Sequence, residues 1–272
     1  MENATFGLTF TPAELALVAG MLNVPSLVLL EDPFDGLPTE QIEGTLRQAQ
    51  KSLVARQYVQ VQDDGSIALD TAVAALVGAL GFAEASLVAT RTVGEERSPS
   101  TRHIHFAAGL IVEEEQRRDR SHALTAVRDQ DAVCQRLKDF LHLAGQPAPP
   151  FQPSTLREAD VAEARLVITV EGEVAGRELL QDAGVPSAAA VSLAAALGHP
   201  TSQSTLFALS WEGQEAQQLD HLTWIEGTDG LWLVRPLDRE GESWLEMAPC
   251  DAPGAFGQVQ RLVNLVIPAG QT

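Results

Sequence analysis

The chain has 272 residues, 37 acidic against 18 basic, and a formal net charge of −19. That balance argues against a phosphate-backbone binder, which needs clustered cations, and against docking on an anionic membrane surface. Hydrophobic residues make up 45% of the chain, ordinary for a protein with a buried core. The length fits one large domain or two of about 135 residues each.

Two cysteines, Cys134 and Cys250, set no disulfide framework and fit a reducing compartment. The amino terminus lacks the basic region and continuous apolar core of a secretory signal. The longest apolar stretch, Leu15 to Leu30, is broken by Asn23 and Pro25 and is too short to span a bilayer. A cytoplasmic protein is expected.

In chain order, Thr5 to Phe10 alternates as a strand does. Thr11-Pro12-Ala13-Glu14 then opens a helix, with threonine as N-cap, proline at the first helical position and glutamate three residues after the cap. Leu15, Val18, Ala19 and Leu22 line its apolar face, and Pro25 predicts a stop near Asn23. Residues 35–69 read as a wing-like unit. In it a helix with Ile42, Leu46, Ala49 and Leu53 on one face precedes a hairpin whose strands flank Asp63-Asp64-Gly65-Ser66. A winged helix would suggest DNA contact. Yet only Arg47, Lys51 and Arg56 are basic there, and the tip carries two aspartates where cations are wanted. Structural use is the expectation.

Thr71 to Leu80 is an Ala/Val/Leu helix ending at Gly81. A strand meander follows near Leu87–Val93, His103–Ala107, Leu110–Glu114 and His122–Val127. A closing helix comes next, with a stripe of Val133, Leu137, Phe140 and Leu141. Four prolines between Gly145 and Pro153 mark a semi-rigid linker over 145–153. Beyond it, Arg165 to Val170 reads as a strand, Glu173 to Ala183 as a helix stopped by Gly184, and Ala188 to Leu197 as a second Ala/Leu helix ending at Gly198. Strands are then predicted near Thr205–Trp211, Leu219–Glu226, Leu231–Pro236 and Trp244–Ala248. A last helix carries Ala255, Phe256, Val259, Leu262 and Val263 on one face.

The order is the same twice. Leu80-Gly81 and Leu197-Gly198 stand 117 residues apart, Leu87 and Leu206 119, Gly109 and Gly230 121, and Asp129 and Asp251 122. A near-constant offset with small drift is the signature of a duplication with short loop insertions. Further upstream, Val24-Pro25-Ser26 matches Val185-Pro186-Ser187 at 161, so the wing-like segment has no counterpart in the second half. The expected fold is therefore α+β, a pseudo-twofold internal duplication. Each half is an antiparallel meander covered by helices, residues 1–144 with the wing-like insertion and residues 154–272 without it. Exposed edge strands favour one sheet shared by both halves.

Catalytic chemistry is not indicated. No nucleophile-elbow, phosphate-loop, zinc-protease or dinucleotide motif is present. His103 and His105 project to one face of a predicted strand, but a metal needs further ligands. His122 is the only nearby candidate, with no cysteine or acid motif to join it, so no metal and no cofactor are expected. Glu113-Glu114-Glu115 beside Arg117-Arg118-Asp119-Arg120 reads as a solvated hairpin tip. Trp211, Trp224, Trp232 and Trp244 all fall in the second meander. They form either an aromatic interaction surface or the filling of that half's core.

Leu8-Thr9 through Glu14-Leu15, Pro25, Ser52-Leu53-Val54-Ala55-Arg56 before Tyr58-Val59, and the two meander-and-helix blocks together carry a resemblance. In order and pattern over most of its length, the chain resembles the EspG proteins of type VII (ESX) secretion. The resemblance implies an acidic, cytosolic, non-enzymatic α+β chaperone that holds a helical PE–PPE pair soluble through its central sheet and C-terminal helical region. It also implies a contact role for the Gly94-to-Arg102 loop, with Glu95 and Arg97, and for the second half with its four tryptophans. The partner would be another protein chain, without nucleic acid or membrane. The competing expectation is a winged-helix regulator or dimerising transcription-associated protein, which would need a basic strip around Arg47, Lys51 and Arg56.

Overall fold

The computed structural model describes residues 6–24, 27, 29–30, 32–64, 66–94, 98–143, 148–213, 215–239 and 241–267. The first half runs β1 (Gly7–Phe10), α1 (Pro12–Met21), α2 (Thr39–Ala55), the hairpin β2 (Val59–Val61) and β3 (Ile67–Leu69), and α3 (Thr71–Gly81). The meander β4 (Ala85–Val93), β5 (Ser100–Ala107), β6 (Leu110–Gln116) and β7 (His122–Val127) follows, closed by α4 (Gln130–Leu141). The second half runs β8 (Ser154–Arg157), α5 (Glu158–Glu171), α6 (Glu173–Asp182) and α7 (Ser187–Gly198). Its meander is β9 (Ser202–Glu212), β10 (Glu215–Gly227), β11 (Gly230–Arg239) and β12 (Glu242–Cys250), closed by α8 (Ala252–Val266). No helix among the described residues is long and apolar enough to cross a membrane.

Ten strands form one antiparallel sheet in the order β1-β7-β6-β5-β4-β9-β10-β11-β12-β8, a palindrome about the β4–β9 seam. The seam is continuous from Ala85 opposite Ser210 to Val93 opposite Ser202. Each half thus covers the free meander edge of the other, which is how this α+β fold disposes of two aggregation-prone edges. Among the described residues, only the β2–β3 hairpin stands outside the sheet.

Backbone bonds around the seam fix the duplication register. Glu84 N–H donates to Phe106 as Thr201 N–H donates to Glu226, and Gly94 N–H donates to Thr201 as Trp211 N–H donates to Glu84. Equivalent residues are therefore 117 apart in β4 and β9, which places the pseudo-dyad at the facing pair Ala89 and Leu206. Turn pairs Ala107–Leu110 and Gly227–Gly230 set the offset at 120 in the next two strands. The sequence match of Leu87 with Leu206 is thus slipped by two, on the same face. The match of Gly109 with Gly230 is slipped by one, which exchanges the faces of the sheet.

Helices cover both faces. α4 and α8 pack side by side on one, over Leu87, Ala89, Ile104, Phe106, Leu206, Ala208, Leu222 and Trp224. Their N-caps are equivalent aspartates, Asp129 and Asp251, whose carboxylates accept from Ala132 N–H and Gly254 N–H. On the other face α1–α3 cover β5–β7 around Phe10, Leu53, Leu76, Leu80 and Leu124, and α5–α7 cover the matching region around Ile168, Leu193, Trp232 and Met247.

Two expectations are corrected. Arg165–Val170 is helical, not a strand. The β-branched run Val167-Ile168-Thr169-Val170 favours a strand locally, but Val161, Ala164 and Ile168 recur at helical spacing and bury together, and acids Glu158 and Asp160 fill the first turn. The strand of that slot is the short β8, just after the prolines, paired with β12. By order, α5, α6 and α7 then correspond to α1, α2 and α3. Among the described residues the second half has no counterpart of the β2–β3 hairpin but keeps the helix before it, so Val185-Pro186-Ser187 aligns with the start of α3 rather than with Val24-Pro25-Ser26. Pro25, Ser26, Gly65 and residues 144–147 of the linker lie outside the described residues. At the linker's far end Phe151 stacks on Trp232, with centroids 6.0 Å apart.

Candidate partner-binding surface

Between the two helical triads, on the face they share, no helix among the described residues packs closely on the seam strands. α3 rests on β5, β6 and β7 and α7 on β10, which leaves the seam strands open on that face. Strand alternation aims Val88, Thr90, Thr205, Phe207 and Leu209 outward there, all half-buried, while Leu87, Ala89, Leu206 and Ala208 point into the α4–α8 core. Phe207 stacks on its cross-strand partner His221, with centroids 5.4 Å apart and planes 19° from parallel. Beside them the Thr205 and Thr223 hydroxyls share a 2.9 Å hydrogen bond. The strip is thus a partly apolar floor with fixed polar edges. A second apolar feature lies on the C-terminal triad: Leu166 and Val170, one turn apart on α5, are 64% and 73% exposed, and Val174 on α6 is 62% exposed. Three large aliphatic side chains turned to water stand out on so acidic a chain.

The four tryptophans do not share one surface. Trp224 and Trp232 are each 1% exposed, in the cores on opposite faces of the sheet, which removes both from any contact with a partner. Trp211 is half-buried beside the open strip and donates its indole N–H to Ser86 Oγ at 3.0 Å. Trp244 is half-buried on β12, with the Arg239 guanidinium 5.5 Å above its ring. Its cross-strand partner Leu237 places it on the α4–α8 side, away from the strip. Glu95 and Arg97 lie outside the described residues.

The basic strip required by the DNA reading is not assembled. Arg56 turns inward onto Glu14, which is 2% exposed, and donates as well to the Thr9 carbonyl and the Tyr58 hydroxyl. Arg47 pairs with Glu43 one turn away.

The acidic run of β6 is also not a solvated tip. Glu113 and Glu114 are 4% and 1% exposed and face opposite sides of the sheet. Glu113 accepts from Arg102 at 2.8 Å and from Arg136 of α4. Glu114 lies directly across from His103, and its two oxygens receive His103 Nδ1 at 2.5 Å and His122 Nδ1 at 2.6 Å. Burial alone would raise the Glu114 carboxyl, but the two imidazole hydrogen bonds outweigh it and hold it at about 2. His105, 0% exposed, bonds Ser86 Oγ through Nδ1 at 3.1 Å, and its Nε2 has no partner among the described residues. Burial, reinforced by the charge of His103, pushes His105 down to about 3, so it is a neutral imidazole. Hydrogen-bonded side chains run from Trp211 through Ser86 to His105, whose ring lies 6.1 Å from that of His103, itself bonded to Glu114 and so joined to His122. His103, Glu114 and His122 line a cleft of about 1000 Å³ between the sheet and α1–α2. Sequence spacing exposed only the His-x-His pair. The acid comes from the neighbouring strand and is found only once register is known.

A palindromic ten-stranded antiparallel sheet with paired closing helices and two helical triads makes this an α+β fold with pseudo-twofold symmetry. The chain has the fold of the type VII secretion system chaperone EspG5 of Mycobacterium tuberculosis, solved in complex with a PE25–PPE41 dimer. The TM-score is 0.71 over 96% of this chain and 95% of that one, at 15% sequence identity. No known family matches the sequence, and no curated protein does.

Proposed function

We propose that this protein is a non-enzymatic binding protein of the EspG kind, which holds a helical secretion substrate soluble in the cytoplasm. The observation that carries the reading is the end-to-end likeness of its fold to a chaperone seen with its protein dimer in place. Two surfaces support it: the uncovered seam strip around Val88, Phe207 and Leu209, and the exposed aliphatic residues Leu166, Val170 and Val174. An apolar segment of a partner would remove both from water, at roughly 25 cal/mol per Å² of apolar area buried. Trp211, at the border of the strip, is the tryptophan best placed to take part. The Gly94-to-Arg102 loop, with Glu95 and Arg97, is part of this proposal through the resemblance alone.

The test is affinity capture from an extract of the source organism, with the wild type beside Phe207→Asp and the double variant Leu166→Asp/Val170→Asp. The expected result is a small helical PE/PPE-like protein in near-equal amount on the wild type and its loss on the variants. Recovery of DNA-associated proteins, or retention of the same partner by both variants, would overturn the reading.

A further inference from the structure

We propose that His103, His105 and Glu114 form a site for a divalent transition-metal ion of the zinc type, with His122 orienting the carboxylate. One nitrogen of each of the two histidines and one Glu114 oxygen lie within 4.8 Å of one another. A tetrahedral zinc with ligand bonds of 2.0–2.2 Å places neighbouring ligand atoms about 3.3 Å apart, so small side-chain rotations complete the set. Two imidazoles and one carboxylate suit zinc and its neighbours, whereas calcium and magnesium ask for oxygen alone. The remaining features of a built site are present. His105 is fully buried, and its Nε2 has no hydrogen-bond partner among the described residues. His122 holds the second Glu114 oxygen from behind, the arrangement that fixes a ligating carboxylate. The cleft gives an ion a way in and leaves room for a water as a further ligand.

The duplication supplies an independent argument. At the established register, His105, Glu114 and His122 of the first half correspond to Ile225, Val234 and Leu245 of the second, which pack in the α5–α7 core. The same scaffold thus closes these positions with aliphatic side chains. The fold does not require a histidine–glutamate cluster here, and its presence in one half calls for a ligand rather than for packing.

The test uses untagged full-length protein, stripped with EDTA and titrated with Co²⁺ by absorption spectroscopy and with Zn²⁺ by calorimetry, in the presence of excess Mg²⁺. One equivalent is expected to bind, with the visible bands of a low-coordinate Co²⁺ site. His105→Leu and Glu114→Gln should abolish binding. His122→Gln should weaken it by about 10- to 100-fold, and His221→Gln on the open strip should leave it unchanged. Circular dichroism checks folding, and the half-buried His103→Ala decides the matter if His105→Leu does not fold. Absence of binding would overturn the proposal. So would binding that survives in His103→Ala and Glu114→Gln or is displaced by Mg²⁺, which would mark adventitious ions on an acidic surface.

Discussion

Gly176 and Gly44 are both glycines within helices, yet alanine at the two positions should act in opposite directions. In an open helix interior alanine is better than glycine by about 1 kcal/mol. A Cβ at Gly44 of α2 meets nothing within 4 Å, so Gly44→Ala should stabilise by roughly that amount. A Cβ at Gly176 of α6 would sit 2.1 Å from Ile168 Cγ1 and 3.1 Å from the Ala164 carbonyl oxygen, where a buried side chain and a helix backbone must give way. Overpacking of this kind costs about 1–3 kcal/mol. The propensity gain is common to both, so the difference between the variants reads the overpacking alone. Urea unfolding followed by circular dichroism supplies the measurement, and a shift in midpoint without a change in slope reports stability. Ile168→Ala should relieve Gly176→Ala in a double-mutant cycle, with a coupling of about 1–3 kcal/mol. If Gly176→Ala stabilises as much as Gly44→Ala, Ile168 does not pack on α6. The helical assignment of Arg165–Val170 then falls with it.

Burial assigns the tryptophans different weights. Trp224→Ala and Trp232→Ala should each cost about 3–5 kcal/mol in the same assay, and a loss of less than 1 kcal/mol at either would refute their placement in the core. The two thiols should be inert. Burial first, then Asp131 beside Cys134 and Asp251 beside Cys250, raises both to about 11. At pH 8 only roughly one part in a thousand is thiolate, the reactive form. Labelling by a disulfide reagent should be slow in the native protein, quicken as pH rises toward 11, and become fast at pH 8 in urea. Native labelling at the urea rate would contradict the burial.

The meanders and closing helices were legible because their signals are local. Alternation marks the strands, and apolar residues at three- and four-residue spacing mark the helix faces. Arg165–Val170 was misleading because its β-branched run is local as well, while the contacts that make it helical come from Gly176 and Gly198 on the next two helices. Repeat matching by identity paired Gly109 with Gly230 and crossed the sheet, since identity carries no knowledge of face. Glu113 and Glu114 look like a solvated pair in the chain. Their partners Arg136 and His103 lie 23 and 11 residues away, and only the packing of α4 and the pairing of β5 with β6 bring them together. An acid–imidazole site spread over three strands leaves no spacing to read.

The same duplication offers a way to separate what the fold needs from what a ligand needs. Replacing the buried part of the first-half cluster by the second-half solution, His105→Ile/Glu114→Val/His122→Leu, takes the carboxylate, its partner His122 and the neighbouring His105 out of the interior together, while His103, 14% exposed, keeps its access to water. Removing one partner of such a group strands a buried charge, whereas exchanging its buried members together for aliphatic side chains of similar size is commonly neutral or stabilising by about 1–4 kcal/mol. The triple variant should therefore fold, melt at or above the wild-type temperature, and bind no Zn²⁺. Glu114→Val alone, which leaves His103 and His122 without their shared acceptor, should be less stable than both. Thermal unfolding of the EDTA-stripped proteins gives the comparison free of any bound metal. A triple variant that is markedly less stable than the wild type would mean that the cluster is structural cement, and the duplication argument for a metal would lose its force.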